Sequence, residues 1–160
     1  MIREVGHQDV RALCEIYNHY VTETVITFEE IPILHEDMRR RVDTVMSRFP
    51  WLVFEQQGAV VGFAYAAQWK ERSAFRYSAE SSVYVSHEAV GQGIGTALYE
   101  ALISKLRASE VHSVIGGISL PNPQSVKLHE KLGFEKIGHF HEVGRKFDQW
   151  IDVGYWELTF

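Results

Sequence analysis

A glycine-rich turn between a predicted strand and a predicted helix constrains the fold more than any other feature. Residues 81–86 (SSVYVS) form a short run rich in β-branched side chains, and three glycines follow within GQGIGT at residues 91–96. From Ile94 to Leu106, apolar residues recur at spacings of three and four. This spacing predicts a helix with one buried face. The order strand, glycine turn, helix is therefore predicted for this part of the chain.

Such a turn is suited to hold an anion. It presents unpaired backbone N–H groups and the positive end of a helix dipole, and glycines allow phosphate oxygens to approach the backbone closely. Two common nucleotide motifs do not match: the turn lacks the third glycine of the dinucleotide fingerprint and the Gly-Lys-Ser/Thr of the P-loop. The turn therefore indicates another ligand that contains a pyrophosphate, although glycines at this spacing also occur as ordinary turn residues.

The rest of the chain shows further helical and strand-like patterns. Helices are predicted at residues 10–21, with Asp9 as N-cap, at 35–48, and in a short segment that Gly133 ends. Segment 22–34 has no helical period and is predicted to be a loop. Strands are predicted at residues 2–5, in a hairpin of residues 51–56 and 59–69, at residues 113–118 as a parallel strand, and in a long hairpin over 134–160.

Size, charge and cysteine content exclude several classes of protein. The 160 residues contain no repeat or linker, so residues 1–160 are predicted to form one mixed α/β domain. A net charge of −5 argues against nucleic-acid binding. Cys14 is the single cysteine, so the chain cannot form an internal disulfide. No Cys/His cluster has the spacing of zinc ligands, so no metal is expected. Without a signal peptide or a long apolar run, we expect a cytoplasmic protein that contacts no membrane.

Several separate blocks resemble the GNAT acetyltransferases. VYVSHEAVGQGIGTALYEALI is similar to their acetyl-CoA pyrophosphate loop, and NPQSVKLHEKLGF to the helix that follows. The blocks EIYNHYV, FPWLVFE, AESSVYVS and WIDVGYWELTF resemble the phosphinothricin and methionine sulfone/sulfoximine branch. The chain departs from the family pattern at Val90, where Arg or Gln is usual. The Phe75-Arg76 pair is closer to the methionine sulfone enzymes than to the phosphinothricin resistance enzymes.

The resemblance implies a GNAT fold, in which helices flank a mixed, mostly antiparallel central sheet. It also implies acetyl-CoA as the co-substrate, with its pantetheine arm lying along residues 83–85 as an extra strand would. Asn122 and Ser125 belong to the helix that follows, where Asn122 can serve as a helix cap at the same time. The residues implied to bind acetyl-CoA are Val83, Tyr84, Val85, Gly91, Gln92, Gly93, Ile94, Gly95, Thr96, Asn122 and Ser125.

Acetyl transfer to an amine requires a base, a stabilised oxyanion and a protonated leaving thiolate. Glu80 precedes the strand that leads to the glycine turn and occupies the family's general-base position. Without the family resemblance, Glu80 would be interpreted as a surface carboxylate at the start of a strand. His129 occupies a position where many GNAT enzymes have a tyrosine that protonates the thiolate. An imidazolium is a competent acid for this step, but a histidine on that helix face is equally compatible with packing.

An amino-acid substrate has an α-carboxylate, which the planar guanidinium of arginine binds well. Arg72 and Arg76 are the leading candidates, and Lys146 is a third. Phe28 and Phe75 are candidates for an apolar wall. The predicted substrate-binding residues are Phe28, Arg72, Ser73, Phe75, Arg76 and Lys146. Trp69, Trp150 and Trp156 are assigned chiefly to the core.

These features favour a small-molecule N-acetyltransferase. Two alternatives stay open: an enzyme that acetylates peptides or proteins, and an inactive module that binds acyl-CoA. The family resemblance also implies a homodimer.

Overall fold

Seven strands form one sheet that takes residues from both ends of the chain. The computed structural model describes residues 1–160. The predicted mixed, mostly antiparallel sheet flanked by helices is confirmed. The strands are β1 (Ile2–Glu4), β2 (Trp51–Gln56), β3 (Ala59–Gln68), β4 (Ser78–Val85), β5 (Ser113–Leu120), β6 (Glu135–Lys146) and β7 (Gln149–Thr159).

Four α-helices lie where the helical spacing of apolar residues predicts them. None of them is long and apolar enough to cross a membrane. Residues 24–34 contain no helix or strand, as predicted for that loop. The helices are α1 (Val10–Glu23), α2 (His35–Met46), α3 (Ile94–Arg107) and α4 (Pro123–Lys131).

The strand order in the sheet is β1-β2-β3-β4-β5-β7-β6. Only β4 and β5 are parallel, because the connection between them crosses the sheet through α3. All other neighbouring strands are antiparallel. The sheet therefore contains one parallel pair near its centre, and β6 forms an outer edge.

Buried side chains form a separate core on each face of the sheet. On one face, α3 packs through Leu98 and Leu102, and residues of α4 pack against the same cluster. On the other face, α1 and α2 pack through Leu13 and Met38. Successive strand residues point to opposite faces, so the side chains of β4 alternate between the two cores.

Two local predictions need correction. Asp9 lies at the predicted N-cap position of α1, but its side chain makes no capping hydrogen bond. Its carboxylate instead accepts from the Gly6 N–H at 2.8 Å and pairs with Arg3 at 2.7 Å. This ion pair lowers the pKa of Asp9. Trp150 is 63% exposed at the start of β7 and is not a core residue, whereas Trp156 is buried.

Candidate active site

The sheet opens into a fork between β4 and β5. These strands pair through three consecutive residue pairs, of which the last is Glu80–Ile115. Beyond this point β4 remains paired with β3 as far as Val85, and β5 remains paired with β7 as far as Leu120. The two strand edges that face each other across the fork have no partner strand. An extended ligand can therefore bind to their backbone groups.

A cleft of about 280 Å³ adjoins the fork beside α3 and α4. It shares Val83, Asn122 and Ser125 with the narrow space inside the fork. Tyr84 lines the fork itself, and exposed Gln92 lines neither space. The other predicted acetyl-CoA residues line the cleft: Val83, Val85, Gly91, Gly93, Ile94, Gly95, Thr96, Asn122 and Ser125.

The glycine turn presents its backbone to this cleft. Gly91 and Gly93 have φ angles of 86° and 78°, which favour glycine at both positions. Gly93 is the N-cap of α3, and its carbonyl accepts from the Ala97 N–H at 3.1 Å. The N–H groups of residues 94–96 precede the first intrahelical donor. They are therefore available to an anion at the positive end of the helix.

Asn122 lies where the fork meets the N-terminus of α4. Its side-chain oxygen accepts from the Ser125 N–H at 3.2 Å, so Asn122 is the N-cap of α4. The predicted capping role is confirmed. Because Asn122 also lines both the fork and the cleft, capping holds its amide at the mouth of the site.

Glu80 lies at the base of the fork, where the pairing of β4 and β5 ends. No hydrogen bond or ion pair engages its carboxylate. Burial raises the pKa of the Glu80 carboxyl above its usual range, and the charge of Lys70 opposes this effect only in part. A carboxylate that is desolvated and unpaired retains a free lone pair for a proton. This environment suits a general base.

The ring of Tyr155 lies beside Glu80. A Cβ atom at Gly117 would lie 3.2 Å from the Tyr155 ring and 3.6 Å from Glu80 Oε1, so the absent side chain leaves room for both. The Tyr155 ring makes edge contacts with Trp69 and Phe140, at centroid distances of 5.7 Å in each case. Tyr155 was missed by sequence reasoning. It is adjacent to buried Trp156 on β7 and therefore points to the opposite face of the strand, which was the available signal.

His129 is buried and fully hydrogen-bonded. Its Nδ1 lies 2.7 Å from the Ser125 carbonyl oxygen, and its Nε2 lies 2.9 Å from the Tyr99 hydroxyl. The Tyr99 hydroxyl is in turn 2.5 Å from Ser81 Oγ. Burial lowers the pKa of His129, which favours the neutral imidazole. In this form Nδ1–H donates to Ser125 and Nε2 accepts from Tyr99, so both ring nitrogens have partners.

Two further hydroxyl groups at the site were missed by sequence reasoning. Ser119 lines the fork, and its buried Oγ has no hydrogen-bond partner in the protein. Tyr20 lines the cleft and donates to the Val85 carbonyl at 2.5 Å, on the strand edge that faces the fork. Ser119 resembles any polar residue within a strand, and Tyr20 reaches β4 from α1, so neither contact had a local signature.

The predicted substrate residues occupy two separate places. Arg72, Ser73, Phe75 and Arg76 lie together in the exposed connection between β3 and β4, where residues 73–75 form a 3-10 turn. The Arg76 guanidinium lies 4.4 Å from the centroid of the Tyr77 ring. No hydrogen bond engages the Arg72 guanidinium. This connection follows β3 and leads directly into the first residues of β4, close to Glu80 in the chain.

Lys146 and Phe28 lie together where the 24–34 loop meets β6. Lys146 is buried, and its Nζ donates to the Thr27 carbonyl at 2.7 Å. Burial lowers the pKa of Lys146. The Phe28 ring lies over Gly144, where a Cβ atom would be 2.3 Å from the ring. Lys146 therefore anchors the 24–34 loop by a hydrogen bond to the backbone carbonyl of Thr27.

Comparisons with known proteins agree with this geometry. Residues 2–154 match the family described as acetyltransferase (GNAT) domain. The chain is 39% identical to the phosphinothricin N-acetyltransferase of Streptomyces viridochromogenes, over 99% of this chain and 87% of that protein. It is 35% identical to the L-methionine sulfoximine/L-methionine sulfone acetyltransferase of Pseudomonas aeruginosa, over 99% and 93% of the two chains.

A solved structure is similarly close. The GNAT superfamily phosphinothricin acetyltransferase from Sinorhizobium meliloti, in complex with AcCoA, superposes with a TM-score of 0.96 at 35% identity, over 99% of this chain and 87% of that one. The forked sheet, the glycine turn and these likenesses together establish that the chain belongs to the GNAT family, as an acetyl-CoA-dependent N-acetyltransferase.

Proposed function

We propose that the chain transfers the acetyl group of acetyl-CoA to the α-amine of a small amino-acid-like substrate, by direct attack in a ternary complex. The observation that carries this proposal is the desolvated, unpaired carboxylate of Glu80 at the base of the fork. Acetyl-CoA supplies an acetyl thioester. The pyrophosphate would bind at the glycine turn and the pantetheine arm along residues 83–85, so the thioester would reach the base of the fork.

Glu80 is the proposed general base. Its carboxylate takes a proton from the substrate ammonium, and the neutral amine nitrogen then forms a bond to the thioester carbonyl carbon. Backbone donors at the fork stabilise the oxyanion that develops there. The carbon–sulfur bond breaks as the amide forms. As the amide forms, its nitrogen loses a second proton. A thiol has a pKa of about 8.5, so the leaving thiolate takes up this proton, relayed by water, near neutral pH.

His129 is assigned a supporting role in this mechanism. Its lowered pKa and its engaged Nε2 make it a poor proton donor. We therefore assign His129 as a packed, hydrogen-bonded residue and not as the general acid that protonates the thiolate. Its contacts join α4 to α3 through Tyr99, and α4 presents Asn122 to the fork.

The substrate carboxylate is assigned to Arg72 and Arg76 in the β3–β4 connection, with Ser73 and Phe75 beside them. Lys146 is not included, because its ammonium group donates to the Thr27 carbonyl. It holds the 24–34 loop and thereby Phe28. Relatives that act on methionine sulfoximine, methionine sulfone and phosphinothricin support substrates of this class. Acetylation would then detoxify such compounds in the cytoplasm.

We further propose that residues 1–160 form one catalytic domain that acts as a homodimer. β6 is an unpaired edge of the sheet. Apolar side chains of the last two strands and their turn are exposed and would be covered by a second copy of the chain. These residues are Ile137, Phe140, Val143, Phe147 and Trp150.

The test is a thiol-release assay with acetyl-CoA and a panel of amines. The panel contains methionine sulfone, methionine sulfoximine, phosphinothricin, common amino acids and peptides with a free N-terminus. We expect turnover of the first three compounds and at least a severalfold higher KM after Arg72→Gln or Arg76→Gln. Turnover of peptides alone would contradict the proposed substrate class. Acetyl-CoA binding without turnover of any amine would contradict the proposed enzyme.

A further inference from the structure

Two histidines and an aspartate converge on the last hairpin, outside the proposed active site. His139 and His141 are two residues apart on β6, and Asp152 lies on the neighbouring strand β7. One ligand atom from each residue lies within 4.8 Å of the other two. The side chains of His139 and Asp152 are 31% and 32% exposed, whereas that of His141 is 80% exposed. The catalytic mechanism uses none of these residues.

Both imidazoles converge on one oxygen atom of Asp152. His139 Nε2 lies 2.8 Å from Asp152 Oδ2, and His141 Nδ1 lies 3.3 Å from the same oxygen. The imidazole rings are stacked at a centroid distance of 4.5 Å. Metal–ligand bonds of about 2.0–2.2 Å place neighbouring donor atoms about 3 Å apart. The two separations from the imidazoles to Asp152 Oδ2 therefore match those of donors that share one metal ion.

The carboxylate is held in position by its own partner. Asp152 Oδ1 accepts from the Glu142 N–H at 2.7 Å, which leaves Oδ2 to face the imidazoles. Glu142 has a φ of 50° at the irregularity where β6 loses regular register with β7. The hydrogen bond from Glu142, followed by that from His139, lowers the pKa of Asp152 to about 2. The irregular strand thus orients an ionised oxygen towards two imidazoles.

One neighbouring charge opposes a cation. Lys136 Nζ lies 3.2 Å from His139 Nδ1. In a complex, His139 would bind the metal through Nε2 and hold its proton on Nδ1, so the ammonium would have to move away. Lys136 is exposed and its side chain is flexible. The lysine therefore weakens the affinity of the cluster without blocking it.

We propose that His139, His141 and Asp152 form a surface site for a divalent transition-metal ion of the zinc type, which links β6 to β7. Two imidazoles and one carboxylate are the donors that such ions prefer, whereas calcium and magnesium prefer oxygen ligands alone. Water would occupy the remaining coordination positions. The linear spacing of Cys and His did not reveal this site, because two ligands alternate on one strand and the third lies across the hairpin.

The test is titration of the untagged, metal-free protein with Zn²⁺ by calorimetry and with Co²⁺ by visible absorption. We expect one ion per chain. The d–d absorption bands of the bound Co²⁺ should be typical of nitrogen ligands. His141→Ala, His139→Ala and Asp152→Asn should each weaken binding by at least about tenfold. Lys136→Gln should tighten binding severalfold, because it removes a positive charge that repels a divalent ion.

The matched control is His7→Ala. His7 also pairs with a carboxylate, at 2.7 Å from Asp43, but it has no second imidazole on that carboxylate. Binding should be unchanged in this variant, and circular dichroism should show all variants folded. The proposal is overturned if no stoichiometric binding occurs, or if binding persists unchanged in His141→Ala and Asp152→Asn.

Discussion

Glu80 shows how one side chain acquires its chemistry from burial. Its carboxylate has no ion-pair partner, and burial raises its pKa. Because the folded-state pKa is raised, folding favours the protonated form. Stability associated with this group is therefore complete below the unfolded pKa of about 4.3 and is lost as the pH rises through the folded value. The same ionisation would create the proposed base, so activity and stability should change in opposite directions as the pH rises.

Glu80→Gln should separate these two effects. We expect turnover to fall by about 10²- to 10⁴-fold, the usual contribution of a general base, with acetyl-CoA affinity unchanged. The rising limb of kcat/KM against pH should be displaced above the usual glutamate range in the natural protein and absent in the variant. At neutral pH the variant should be at least as stable in urea. Full activity in Glu80→Gln would remove this residue from the mechanism.

The buried Ser81–Tyr99–His129 chain of hydrogen bonds gives a second prediction. Tyr99→Phe would leave Nε2 of His129 without a partner and Ser81 Oγ with only the Ile115 carbonyl at 3.5 Å. We expect the free energy of unfolding to fall by about 1–3 kcal/mol, the cost of unsatisfied buried polar groups. Urea denaturation measures this loss. Tyr77→Phe is the control, because the Tyr77 hydroxyl is on an exposed residue, and its loss should have little effect.

At the scale of elements, the glycine turn combines a strained conformation with a binding surface. Gly93 has a φ of 78°, and an added Cβ would meet nothing within 4 Å. Gly58, in the β2–β3 turn, has a φ of 82° and is equally uncrowded. Alanine at either position should cost about 1–2 kcal/mol, because the left-handed conformation is unfavourable for residues with a Cβ. The two glycines thus differ only in their location.

Gly93→Ala should therefore weaken acetyl-CoA binding, whereas Gly58→Ala should not. We expect about a tenfold loss of affinity for Gly93→Ala, since a shift of the turn would misalign the N–H groups proposed to bind the pyrophosphate. Calorimetry with acetyl-CoA measures the affinity, and thermal unfolding verifies that both variants lose similar stability. Equal affinities in the two variants would show that the turn does not bind the pyrophosphate.

At the scale of the whole molecule, the exposed apolar hairpin bears on assembly. Trp150 is 63% exposed and Phe147 52% exposed, which are large fractions for such apolar side chains. If a second copy covers them, Trp150→Lys should shift the protein from dimer towards monomer in sedimentation velocity experiments. Met46→Lys, which replaces an exposed apolar residue of α2, is the control and should leave the assembly unchanged. A natural protein that sediments as a monomer would contradict the homodimer.

The sequence by itself determined the helices, the strands and the glycine turn. The helices at 10–23, 94–107 and 123–131 follow from the spacing of apolar residues, and the glycine turn follows from local conformational demands. Asn122 could be predicted as a cap because the capping hydrogen bond joins residues only three positions apart in the chain. Such features depend on residues close in the chain. They can be derived from periodicity and backbone chemistry without knowledge of the fold.

Only the tertiary structure decided which distant residues meet. The fork depends on where β4 and β5 stop pairing, and Tyr155 reaches Glu80 only because β7 inserts beside β5. Lys146, predicted for the substrate, is instead bound to the backbone of a loop more than 100 residues away in the chain. Strand register and burial set these contacts, and both depend on packing across the whole sheet. The sequence therefore determined the parts of the site, and the fold determined their environment and partners.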